Sequence, residues 1–134
     1  MLRLELTFLE FPKDFEWGAS TSSYQIEGAW NADGKGESIW DRFTIRPHNI
    51  INGDTGDNAC NQYEHLLADV KLIKHLGLKT HSSSISWSRL ILDGQCSPIP
   101  KGLGFYNRLD DALMERIGWL NRIGLPGLEP GRRV

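Results

Sequence analysis

Apolar positions along this chain keep a helical period in two places, and each predicts an element. Between residues 59 and 76, Tyr63, Leu66, Leu67, Val70, Ile73 and Leu76 recur every three or four positions, which puts them on one helix face. Asp57 or Asn58 can cap its start, and Gly77 stands where a left-handed C-terminal cap belongs. A second stripe, Phe105, Leu109, Ala112, Leu113 and Ile117, predicts a helix over residues 104–117. Strand-like residues run over 16–22 and 79–87, and a short helical turn is expected at 39–43. Polar stretches rich in glycine, 31–38 and 49–56, read as loops. The order strand, helix, strand, helix is that of an α/β chain whose strands pair in parallel through crossovers. From Gly118 onward glycine and proline interrupt both periods, and residues 118–134 read as an irregular, loosely packed tail.

Composition narrows the function classes. The chain has 134 residues, room for one domain, with 15 Lys and Arg against 17 Asp and Glu. A net charge of -2 gives no electrostatic reason to expect nucleic acid or an anionic membrane as partner. Hydrophobic residues make up 40%, slightly low for a packed domain. Cys60 and Cys96 are too few for a disulfide framework and are expected to be free thiols. Charge breaks up residues 1–10, so neither a secretory leader nor a spanning segment is expected, and a cytoplasmic location follows. His48, His65, His75 and His81 show no metal-ligand spacing. His65 and His75 are expected on the solvent side of the first long helix. The run Gly34-Lys35-Gly36 lacks the Ser or Thr of a phosphate loop, and residues 52–57 lack the closing Glu of a calcium loop. No cofactor and no metal are expected.

The richest chemistry lies in residues 15–30. Small residues there let the backbone pass close to its neighbours. They lead into Tyr24-Gln25-Ile26-Glu27-Gly28. Gln25 donates and accepts hydrogen bonds, which suits it to a sugar hydroxyl. Asp33-Gly34-Lys35-Gly36, Ser38-Ile39-Trp40-Asp41, Leu76-Gly77-Leu78-Lys79, Ser84-Ile85-Ser86-Trp87-Ser88-Arg89 and Gly104-Phe105-Tyr106-Asn107 follow in order. Together these blocks, spread over residues 11–117, resemble the amino-terminal part of glycoside hydrolase family 1, the β-glucosidase and lactase-like family. The resemblance implies a partial (β/α)8 TIM barrel, about its first two βα units, with residues 1–10 as an extension. It also implies a β-glucoside or related glycan as substrate and Gln25 as a sugar-binding residue, and it names no protein partner. Glu27 is expected to be structural, and Trp17, Trp40 and Trp87 to be core residues rather than sugar platforms.

The same resemblance marks departures. Family members hydrolyse with two carboxylates, one in an Asn-Glu-Pro motif and one in a Glu-Asn-Gly motif. Neither motif stands in this sequence, so no catalytic residue is expected in it. Ser82 and Ser83 stand where the family carries an Arg and an aromatic residue. The Arg supports the ionised nucleophile by its fixed charge; Ser cannot. The aromatic residue buries surface worth about 2 kcal/mol. These losses, with the loss of pattern at Gly118, suggest an altered reading frame, a splice variant or a degenerate copy. They imply a chain inactive by itself, an interaction module, or one with no selected function. Two parallel strands with uncovered edges predict marginal stability for the part on its own.

Overall fold

The computed structural model describes residues 10–92, 98–117 and 120–123, the last four by their backbone. Cys96 and most of the 118–134 tail lie outside the described residues. Strand β1 spans Gly18–Thr21 and leads through a single helical turn, α1 (Ser23–Ile26), into a long excursion. That excursion holds a 3-10 turn at Ala32–Gly34, helix α2 (Ile39–Thr44) and a second 3-10 turn at Ile51–Gly53. Helix α3 (Gln62–His75), strand β2 (Thr80–Ser84), the turn α4 (Trp87–Leu90), helix α5 (Pro100–Ile117) and strand β3 (Leu120–Ile123) complete the order.

The sheet has three parallel strands with β2 in the middle. Gly18 pairs with Thr80 and Thr21 with Ser83, while His81 pairs with Leu120 and Ser84 with Ile123. The third strand corrects the expectation of an irregular tail from Gly118. A four-residue strand is too short to carry a period of its own, and pairing with β2 selects it. Three consecutive serines in β2 are tolerated for the same reason: a ladder on each side outweighs their poor strand preference.

Helices α3 and α5 pack together over Leu66, Val70, Phe105, Leu109 and Leu113, with Tyr106 and Leu90 buried in the same core. His65 and His75 are exposed as expected. Leu67 and Leu76, counted on the apolar stripe, are 58% and 62% exposed; Leu66 and Val70 are buried in the core, and Tyr63 and Ile73 pack against it. Gly77 takes φ +71°, the cap conformation its position predicted. The start of α3 differs from expectation. Its N-cap is Asn61, with a left-handed backbone and no side-chain cap bond. The Tyr63 N–H instead donates to the Glu27 carbonyl at 3.0 Å, so a distant segment supplies the acceptor that Asp57 or Asn58 was expected to give.

Two boundaries also move. Strand β2 ends at Ser84, and Trp87 opens α4 rather than closing the strand. Helix α5 begins at Pro100, ahead of two glycines that argue against helix on propensity. Proline suits a first helical position. Gly102 is needed because a Cβ there would lie 1.9 Å from the Arg89 carbonyl oxygen. The close crossing of α5 over α4 outweighs the helix penalty of glycine.

Candidate functional site

Parallel strands deliver their functional loops at their carboxyl ends, and a cavity of about 480 Å³ opens there, beyond β1 and β2. Its walls include Tyr24 from α1, Trp40 and Asp41 from α2, and Ser84 to Arg89 after β2. The sequence built α2 by a signal present but unread: Ser38-Ile39-Trp40-Asp41 is a capping box. The Asp41 N–H donates to Ser38 Oγ at 3.2 Å, and the Ser38 N–H donates to Asp41 Oδ2 at 2.7 Å. Lys35 Nζ adds a buried ion pair to Asp41 at 2.8 Å. Burial alone would raise the Asp41 pKa; Lys35 and Ser38 together outweigh it and hold the carboxyl below its usual range.

Tyr24 ties three segments together. Its hydroxyl shares a hydrogen bond with Thr44 Oγ1 at 2.9 Å and accepts one from the Gly56 N–H at 3.0 Å. Its ring lies against Gly56, where a Cβ would meet it at 2.6 Å. Glu27, three positions on, points into the centre of the fold. Arg89 Nε donates to Glu27 Oε2 at 2.8 Å, and the Tyr106 hydroxyl donates to Oε1 at 2.5 Å. The same tyrosine oxygen accepts from the Ser86 N–H at 2.7 Å. Arg89 Nη2 donates to the Gly28 carbonyl at 2.9 Å, and its guanidinium sits 4.3 Å from the centre of the Tyr63 ring. Burial, with the Glu27 carboxylate beside it, holds the Tyr106 hydroxyl well above its ordinary pKa. Glu27 is therefore structural, as expected, and its partner Arg89 is the residue that sequence reading missed. The two stand 62 positions apart, beyond any local pattern.

Gln25 takes the next step round α1. It is exposed and is absent from the cavity wall that Tyr24 and Glu27 share. The tryptophans depart from expectation. Trp17 is 51% exposed and joins Phe11 and Phe15 in a surface cluster with ring centres 4.7 to 4.8 Å apart. Trp40 and Trp87 line the cavity and are about half exposed. None of the three is a core residue. Ser82 and Ser83 lie in β2, and the Ser82 hydroxyl has no hydrogen-bond partner among the described residues. Among the described residues no group of three or more His, Cys, Asp or Glu is placed to hold a metal ion, and no helix is long and apolar enough to cross a membrane.

Comparison with known proteins gives this geometry a context. The family model described as Glycosyl hydrolase family 1 matches residues 8–117. Beta-glucosidase A of Acetivibrio thermocellus is 52% identical over 107 residues, covering 80% of this chain and 24% of the relative. Lactase/phlorizin hydrolase of Rattus norvegicus is 51% identical over 107 residues, 78% of this chain and 6% of that protein. The solved family 1 β-glucosidase from Thermotoga maritima superposes with a TM-score of 0.75 at 49% identity, over 79% of this chain and 24% of that one. The chain spans about a quarter of the length of the bacterial β-glucosidases it matches.

Proposed function

Because the chain belongs to glycosyl hydrolase family 1, we propose that its elements are the first units of a β-glucosidase-like (β/α)8 barrel. On this reading they supply part of a site for a β-glucoside. The observation that carries the reading is the family match over residues 8–117, joined to a parallel sheet whose loops open at the carboxyl ends of β1 and β2. Gln25 is the sugar-binding residue of this reading, and its exposure leaves it accessible to a ligand. The chain by itself is inactive on the same reading. The two catalytic carboxylate motifs are absent from the sequence, and Ser82 replaces the Arg that would stabilise the nucleophile. The exposed free thiol of Cys60 suits a reducing, cytoplasmic setting.

A chimera tests this. Residues 10–117 would replace the matching segment of the Thermotoga maritima β-glucosidase, with turnover of an aryl β-glucoside as readout. The chimera is expected to turn over weakly. Ser82→Arg should raise kcat by about 10²-fold, the scale of one restored electrostatic contact in a buried site, and Gln25→Ala should lower kcat/KM. A folded chimera that stays silent with Ser82→Arg would sink the reading. Turnover by the isolated chain, lost on Gln25→Ala, would overturn its inactivity.

A further inference from the structure

The loop over residues 49–56 holds the one Asn-Gly step of the sequence, Asn52-Gly53. An asparagine before a glycine carries chemistry of its own. The backbone nitrogen that follows can attack the side-chain amide carbon, and glycine leaves that approach unhindered because it has no Cβ. We propose that Asn52-Gly53 is a self-modification site, at which Asn52 loses ammonia through a succinimide and becomes aspartate or isoaspartate. The inference is independent of the glycosidase reading, since neither Asn52 nor Gly53 lines the cavity.

Exposure, space and the lack of a restraint carry the assignment. Asn52 and Gly53 are exposed, in a short turn whose Ile51 is 86% exposed. A Cβ built on Gly53 would meet nothing within 4 Å, so the backbone there has room to turn. The Asn52 amide makes no hydrogen bond among the described residues. Comparable positions are held. Asn49 donates through Nδ2 to the Phe43 carbonyl at 2.8 Å. Asp33 also precedes a glycine, but its carboxylate is held by the Tyr63 hydroxyl at 2.8 Å and by Lys101. Asn107 sits inside α5, and Asn31, Asn58 and Asn61 precede residues that carry a Cβ. What opposes the reaction at Asn52 is small. Ring closure requires Asn52 to rotate about ψ, now −1° with φ 66°, and the Gly53 N–H to leave the Ile50 carbonyl, 3.1 Å away. That is one turn hydrogen bond in an open loop. The step balances without an outside reagent other than water. The Gly53 nitrogen gives up its proton and bonds to Asn52 Cγ, the Cγ–Nδ2 bond breaks, and Nδ2 takes a proton and leaves as ammonia. Water then opens the ring at Cγ, giving aspartate, or at the main-chain carbonyl, giving isoaspartate. Either product adds a negative charge close to Asp54.

Incubation of the full chain in native buffer at mildly alkaline pH, followed by peptide mapping with mass spectrometry, tests this. The peptide that contains Asn52 should show the mass change from amide to carboxyl, with isoaspartate among the products, while Asn49 and Asn107 stay intact. Asn52→Gln should abolish the change at this position, because its longer side chain would have to close a larger, less favoured ring. Gly53→Ala should slow conversion at least about tenfold, since the added carbon hinders the attacking nitrogen. The rate in native buffer should lie within about tenfold of the rate in concentrated urea, the weight of one turn hydrogen bond. The proposal is overturned by a native rate more than about tenfold below that in urea, which would mean that the fold protects Asn52. It is equally overturned by a Gly53→Ala chain that converts as fast as the original. Aspartate without isoaspartate would also overturn it, because direct hydrolysis of the amide needs no succinimide.

Discussion

The fold contains the same chemical pair, Glu with Arg, in two settings. Glu37 and Arg42 stand five positions apart and meet at the surface, with side chains 37% and 65% exposed. Glu27 and Arg89 stand 62 positions apart and meet in the interior, 4% and 2% exposed. Water screens the first pair and can replace either partner. The second has no water to fall back on, so Tyr106, the Gly28 carbonyl and the Tyr63 ring complete its coordination. The surface pair decorates α2, whereas the buried pair joins the loop after β1 to α4 and α5. Burial, not pairing, makes the difference.

The largest effect should come from breaking the buried pair. Arg89→Ala leaves the Glu27 charge uncompensated and should cost ~3–5 kcal/mol, a large part of the ~5–15 kcal/mol available to a small domain. A urea titration of the variant should lack a folded baseline; an unchanged midpoint would refute the buried clasp. Gly102→Ala attacks the same junction through packing. Despite better helix propensity it should destabilise by ~1–3 kcal/mol, because the Arg89 carbonyl lies 1.9 Å from the added carbon. A gain in stability would show that α5 does not cross α4 so closely.

His81 sharpens the comparison as a buried ionisable group without an ion partner. It is 1% exposed; its Nε2 lies 3.4 Å from Thr21 Oγ1, and its Nδ1 is unpartnered among the described residues. Burial pushes its pKa below the ordinary value of 6.5. The unfolded chain therefore takes up a proton that the fold refuses. Stability is full above about pH 6.5 and declines as pH falls through the lowered folded value. His81→Tyr, which removes the titrating imidazole, should flatten the urea midpoint below about pH 6.5. A slope that persists unaltered in the variant would remove His81 as its source. Depressed carboxylates such as Asp41 act in a lower window, below about pH 4. At the small end, Arg42→Ala should leave the urea midpoint unchanged, since the surface pair is solvated before and after. A measurable loss would erase the contrast between the two pairs.

Much of the fold was legible in the chain. The stripe from Phe105 to Leu113 gave the buried face of α5, and Gly77 gave the end of α3. The order of elements gave the parallel pairing of β1 and β2. The capping box at Ser38 and Asp41 was legible too, in the spacing of a hydroxyl and a carboxylate three residues apart. The strand at 120–123 and the turn at Trp87 were not, because short segments carry too few residues to show a period and take their form from neighbours. The cavity was equally hidden. Gln25 stood out as a polar residue in a motif, but which side of α1 faces the cavity depends on where one helical turn sits against α2 and α4.

By itself the sequence determined the family, the α/β class and the two long helices, because each rests on residue types and spacings within one segment. Tertiary structure alone decided that Glu27 belongs to Arg89 and Tyr106, that α3 is capped by a carbonyl from the loop after β1, and that Gly102 is required. It also decided that Trp40 and Trp87 line a cavity instead of filling a core. Each of these is a contact between segments distant in the chain, and burial fixes its energy only once those segments have met.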